Sequence, residues 1–128
     1  MAGKRIRVLL ADDHSKVREG LIHLLEQFPD FEIAGQAIDG QEAVRLAREL
    51  MPDVIIMDVV MPRMDGIDAT RIIHSELPQV QVLGLSSSED AEHAMRRAGA
   101  VDYICKTAPS DAIIEAIRNC GSSLSKQQ

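Results

Sequence analysis

Pro52-Asp53-Val54-Ile55-Ile56-Met57-Asp58 sets four apolar side chains in an unbroken row between two carboxylates. A short continuous apolar run suits a strand covered on both faces, because a half-exposed strand would alternate with polar residues. The run therefore predicts the centre of a parallel sheet, and its stop at Asp58 predicts a polar rim. Upstream, Ile6-Arg7-Val8-Leu9-Leu10-Ala11 is another strand, stopping at Asp12-Asp13. Downstream, Val80 to Leu85 stops at Ser86-Ser87-Ser88, and Val101 to Cys105 runs into Lys106. Phe31 to Ala37 alternates and is expected at a sheet edge.

Helical spacing fills the intervals. Val17, Leu21, Leu24, Leu25 and Phe28 mark a helix over 15–28 that Pro29 closes. Ala43, Val44, Ala47 and Leu50 share one face of 41–51, and Pro52 follows. Asp65 is an expected N-cap, with Asp68 in the first turn near the positive end of the helix dipole; Ile67, Ile72 and Ile73 form the apolar side, and Pro78 ends the unit. Residues 89–98 form a polar helix with Gly99 as C-cap. Residues 110–119 form the last, with Ile113, Ile114 and Ile117 inward. Five strand–helix alternations across 1–120 predict an α/β fold, a parallel sheet wrapped on both faces. Right-handed crossovers favour the flavodoxin-like, doubly wound order 2-1-3-4-5, whose ligand crevice lies beyond the strand ends between strands one and three. The small polar stretch 121–128 reads as a linker or a trimmed end.

The 128 residues suffice for one domain, and 45% are hydrophobic but only 2% aromatic, so the core is aliphatic. A net charge of -6 argues against gripping nucleic acid or an anionic membrane with this segment alone. Cys105 and Cys120 are expected as reduced thiols, and the short N-terminal apolar run is too brief for a leader or span, which together point to the cytoplasm.

The chemistry gathers where strands end. Asp12 and Asp13, Asp58, Ser86 and Lys106 fall at four strand termini on one edge of the expected sheet. Taken singly, each has an ordinary explanation: a helix cap, a turn former, a solvated lysine. Together they describe a site. Three close carboxylates repel one another unless a cation is present. Oxygen-only ligands favour a hard ion such as Mg²⁺. A carboxylate is also a nucleophile for phosphoryl transfer, giving an aspartyl phosphate, and Lys106 would spread the charge on the transferred group. Met57, Met61 and Met64 are expected to be packing residues. His14, His23, His74 and His93 lack ligand spacing and are expected on surfaces, although His14 adjoins the acidic pair and could perturb it.

Five segments carry a family resemblance: Asp12-Asp13-His14; Val17-Arg18-Glu19-Gly20; Pro52 to Asp58; Met61-Pro62-Arg63-Met64-Asp65-Gly66; and Ala98-Gly99-Ala100-Val101-Asp102-Tyr103-Ile104-Cys105-Lys106. Over about residues 5–120 the chain resembles the receiver domain of two-component response regulators. Around Val17-Arg18-Glu19-Gly20 and Leu83-Gly84-Leu85-Ser86 it is similar to the LuxR/FixJ-type subfamily that joins a receiver to a helix-turn-helix DNA-binding domain. The resemblance implies that Asp58 accepts a phosphoryl group from a phosphohistidine on a sensor histidine kinase or phosphotransfer protein. It implies Mg²⁺ held by Asp13, Asp58 and the Val60 carbonyl, with Asp12 acting largely through water. It implies that Ser86 and Lys106 bind phosphoryl oxygens, and that Tyr103 turns inward when Ser86 is drawn toward the phosphate. The implied module is not an enzyme beyond autodephosphorylation. It controls an output domain or partner, with transcription as the expected output, and a phosphorylation-dependent homodimer stays open.

Two other functions compete. A haloacid-dehalogenase-like phosphatase shares the aspartyl phosphate but needs a second acid where Val60 stands, and a flavodoxin-like cofactor binder needs a phosphate-cradling glycine loop and aromatic stackers that do not occur here. Thr107 also departs from the resemblance, since many members have proline after the lysine, and a cis bond is costlier before Thr. The resemblance implies that Val60 and Ser88 occupy the places that tune phosphoryl hydrolysis. Val60 cannot orient an attacking water, so the phosphorylated state is expected to persist. In a decay assay after acetyl phosphate labelling, Val60→Asn should lose label faster than the wild type.

Overall fold

Alternate side chains of a strand go to opposite faces, and here helices cover both. The computed structural model describes residues 4–126, with side chains described as far as Gly121. Its strands are β1 (Ile6–Ala11), β2 (Phe31–Ala37), β3 (Val54–Asp58), β4 (Gln81–Ser86) and β5 (Asp102–Cys105). They alternate with α1 (Ser15–Glu26), α2 (Gly40–Leu50), α3 (Gly66–Glu76), α4 (Glu92–Ala98) and α5 (Ser110–Lys126). All pairings are parallel, in the order β2-β1-β3-β4-β5. This is the flavodoxin-like arrangement expected from the sequence, with β3 central and buried throughout and β2 at an edge.

Two apolar layers hold the sheet. Val8, Leu10, Val54, Ile56, Leu83 and Leu85 meet Leu21 and Leu25 of α1 and Ile113, Ile114 and Ile117 of α5. On the other face, Leu9, Ala11, Ile55, Met57 and Val82 meet α2, α3 and α4 through residues such as Val44, Ile73 and Met95. Burial stabilises each Leu or Ile by ~1.5–3 kcal/mol. A slip of one residue would send every strand side chain to the wrong layer, so the two rows fix the register.

Some boundaries differ from the sequence expectation. Helix α1 stops at Glu26, short of Phe28, because Gln27 and Phe28 N–H bond the carbonyls of Leu24 and Leu25 in a tightened turn before Pro29. Helix α4 begins at Glu92, not Glu89. Local bonds from Ser88 N–H to Ser86 Oγ and from Asp90 N–H to Ser88 Oγ hold the intervening backbone in bends that compete with helix. Helix α5 continues past Asn119 to Lys126; of the stretch read as a linker, residues 127–128 and the side chains from Ser122 lie outside the described residues. No peptide bond among the described residues is cis, including Lys106–Thr107. Cys105 and Cys120 are free thiols, and no described helix is long and apolar enough to cross a membrane.

Helix α2 is anchored by a residue that the sequence reading passed over. Asp39 Oδ1 accepts the Glu42 N–H at 2.8 Å, and its Oδ2 accepts from Arg63 Nε at 2.7 Å. The Glu42 N–H above all holds this carboxyl below its ordinary range against the opposing effect of burial, and Arg63 adds to it. Folding lowers the pKa, so the stabilisation is complete above the unfolded value of about 3.9 and fades as pH falls through the folded one. Asp39→Ala should cost about 1–2 kcal/mol in urea denaturation at pH 7. The gap from wild type should narrow steadily once the pH drops below about 4.

Candidate functional site

The β1–β3 register brings acids together. Val8 pairs with Val54 and Leu10 with Ile56. Continuing the same two-residue step past the strand ends makes Asp12 and Asp58 neighbours on the α1/α5 face. Both are buried, 3% and 4% exposed, which is rare for carboxylates without a partner. Lys106 continues the row of Ile104 on β5, and its Nζ lies 3.0 Å from Asp12 Oδ2 and 3.3 Å from Asp58 Oδ1. The Val59 N–H also donates to Asp58 Oδ1, at 2.9 Å. Asp58 Oδ2 takes part in neither contact.

The charges do not balance. Burial first, and then the neighbouring Asp12, push the Asp58 carboxyl above its usual range, with Lys106 only partly offsetting them. Burial opposes the charge on Lys106, yet Asp12 and Asp58 together hold its ammonium above its ordinary pKa. Asp12 Oδ2 is within charge-attraction distance of Lys106 but has no hydrogen bond of acceptable angle. Asp13 sits further out. One donor atom from each of Asp12, Asp13, His14 and Asp58 lies within 4.8 Å of the others. This donor set fits a divalent cation, which would neutralise the surplus carboxylates.

Ser86 and Tyr103 form a second group. Ser86 lies one residue beyond Leu85 and so belongs to the opposite face of β4, the Tyr103 side. Ser86 Oγ accepts the Ser88 N–H at 3.3 Å, and the Tyr103 hydroxyl donates to the Ser88 carbonyl. Tyr103 is 9% exposed, turned inward over Gly84, where an added Cβ would meet the ring at 2.7 Å. The Lys106 N–H donates to the Ser86 carbonyl at 2.8 Å and ties the two groups together. Val60 stands in the loop after β3 and is 73% exposed.

Sequence reasoning missed two contributors, Ser88 as a backbone link and Gly66 as a close contact. Ser88 joins Ser86 to Tyr103 through its backbone, which no side-chain pattern signals. Gly66 closes α3 against the β3 exit: its N–H donates to the Val59 carbonyl at 2.7 Å, and a Cβ would stand 1.9 Å from the Asp58 carbonyl oxygen. His14, expected on a surface and noted as adjoining the acidic pair, joins the acidic cluster. Its adjacency to Asp12-Asp13 was the available signal.

A family model for the response regulator receiver domain matches residues 8–118. The chain belongs to that family. Transcriptional regulatory protein LiaR of Bacillus subtilis (strain 168) is 50% identical to this receiver domain over 115 residues, covering 88% of this chain and 54% of LiaR. The signal receiver domain of NarL from Mycobacterium tuberculosis superposes with a TM-score of 0.89 at 30% identity, covering 94% of this chain and 98% of that one. A chain of the CheX-CheY-BeF3-Mg²⁺ complex from Borrelia burgdorferi gives a TM-score of 0.84 at 25% identity, covering 91% and 90%. The receiver domain spans about half the length of the curated relatives it matches.

Folding raises the Asp58 pKa, so the ionised carboxylate costs stability above its unfolded pKa, increasingly until the folded one is passed. Asp58→Asn should therefore raise stability at pH 7 by about 1 kcal/mol, the common scale for relieving strain at a functional position. Urea titrations from pH 7 downward should show that gain fading as Asp58 becomes protonated in both states.

Proposed function

We propose that this receiver domain takes a phosphoryl group onto Asp58 from a phosphohistidine of a sensor histidine kinase or phosphotransfer protein, in a Mg²⁺-dependent reaction. The observation that carries the proposal is the buried Asp58 carboxylate, with Oδ1 engaged by Lys106 and the Val59 N–H. That leaves Oδ2 as the attacking oxygen. The new bond joins Oδ2 to phosphorus, the phosphorus–nitrogen bond breaks, and the departing imidazole keeps the electron pair. Asp13 and Asp58, with the Val60 carbonyl, are the groups that hold Mg²⁺, and Asp12 acts largely through water. Bound Mg²⁺ supplies positive charge beside the phosphoryl oxygens. Lys106 serves the same end from the other side, exchanging its contact with Asp58 for one with a phosphoryl oxygen.

Ser86 carries the consequence outward. Its hydroxyl binds a phosphoryl oxygen, and the Ser86–Ser88–Tyr103 linkage couples that movement to α4 and β5. A two-state element of this kind is biased only as far as the phosphoryl group favours one state. The domain turns over no outside substrate, and at most it returns its phosphate to water. The names of relatives such as LiaR support a transcriptional output from the remainder of a longer cytoplasmic protein, and the Mg²⁺ and BeF3 in the CheX-CheY complex support the ligand chemistry.

Labelling with acetyl phosphate tests the proposal. Wild-type protein with Mg²⁺ should gain one acid-stable, base-labile phosphoryl group by intact mass. Asp58→Asn, or wild type in EDTA, should gain none. Labelling of Asp58→Asn at the wild-type level, or rapid turnover of phosphoesters, would remove the proposal.

A further inference from the structure

Helices α3 and α4 pack side by side. Buried Thr70 donates its hydroxyl to Met95 Sδ at 3.8 Å, and Gly99, which closes α4, leaves no room for a Cβ beside the His74 ring. Elsewhere along the seam α4 offers only Ala94 and Ala98, whose small side chains leave a cleft of about 390 Å³. Residues three and four apart share a helix face, so His93 and Arg97 stand together on one wall, and Arg71 of α3 completes the lining. No lining residue is acidic, although the chain as a whole carries a net charge of -6.

A second observation concerns what these cations lack. Every other arginine among the described residues bonds a carbonyl, an amide or a carboxylate, whereas Arg97 has no such partner among them, and neither has His93. The positive charge that suits the last turn of a helix is already supplied by Arg96, held by Glu92 and Asp102. Arg71 uses one nitrogen on Asp68 at 2.7 Å, an exposed pair that contributes little.

We propose that the α3–α4 cleft binds a small phosphate monoester, its anionic head held between Arg71 and Arg97 with His93 as a further N–H donor. The site is independent of phosphoryl acceptance at Asp58. A guanidinium suits a phosphate because its planar donors pair with two oxygens at once. A monoester presents three strong acceptor oxygens, enough for both arginines and the imidazole. The volume falls in the range of small-molecule sites, about 300–1,000 Å³, and the methyl groups of Ala94 and Ala98 suit a short aliphatic remainder. Nucleic acid fits less well. No aromatic ring lines the cleft to stack a base, and the negative charge of the chain repels a polyanion that extends beyond it. An occupant bridges α3 to α4, so it restrains the helix that follows the Ser86–Ser88 bends.

The test titrates the nitrogen-15-labelled full chain with glycerol 3-phosphate and follows backbone amide shifts. EDTA in the buffer keeps metal from the strand-end acids, so this site is tested apart from that one. Shifts should gather in α4 and the second half of α3 and saturate with a dissociation constant of about 1 mM or tighter. Arg97→Gln and Arg71→Gln should each weaken binding at least about tenfold, the lower end for a charge-assisted hydrogen bond. Arg45→Gln, which removes the same charge from α2, should change it less than about twofold, because salt screens distant surface charges. Inorganic phosphate should move the same amides and bind more weakly. Binding as tight as that of the ester would give the cleft to free phosphate and overturn the monoester assignment. An oligoglutamate peptide that binds more tightly through the same arginines would give it to an acidic peptide and overturn it too. Shifts that are absent, do not saturate, centre on Asp58 and Lys106, or survive unchanged in Arg97→Gln remove the site altogether.

Discussion

Two carboxylates buried beside each other require positive charge, and one ammonium reaching across from β5 supplies it. Lys106 sits between Asp12 and Asp58, and much of the fold serves that meeting. Parallel register sets the acids on adjoining strands. The β4–β5 pairing, Ser86 beside Cys105, places the lysine at the same height. One ammonium is too little for this many acids, so the protein's own groups leave surplus negative charge there. A surplus of carboxylates of this kind fits a divalent cation, as an internally satisfied ion pair would not.

The cost of that arrangement is local, and the rest of the domain is conventional. Two aliphatic layers separate by strand parity, and helices α2 and α3 begin on aspartate caps. The close approach of Gly66 to the Asp58 backbone joins the frame to the site. Any side chain there would displace the strand end that carries the acid, so the glycine belongs to the chemistry as much as to the helix it starts. The rigid layers beneath the rim let a strained constellation persist without loosening the whole molecule.

Much of this was legible in the chain. Val54 to Met57 announced a central strand because no polar residue interrupts it, and strand ends at Asp12, Asp58 and Lys106 announced the site. What escaped notice depends on backbone groups or on exposure. The start of α4 hinges on hydrogen bonds made by Ser86 and Ser88, which compete with helix in a way that the mixed composition of Glu89 to Ala91 does not reveal. Asp39 went unread as a cap because Gly40, a poor helix former, follows it. His14 looked like surface, and by exposure it is; only the turn made by its own N–H brings the ring back to the acids.

Tyr103 is the sole tyrosine, and the chain has no tryptophan. Its hydroxyl is tied to the Ser88 carbonyl and its ring lies over Gly84. The protein's near-ultraviolet absorbance and intrinsic emission therefore arise chiefly from a single chromophore, located at the junction between β4 and α4. Any rearrangement there changes the solvation of the one phenol that dominates the signal, and does so without background from elsewhere. The molecule carries an optical gauge of its own conformation, with no dye or label attached.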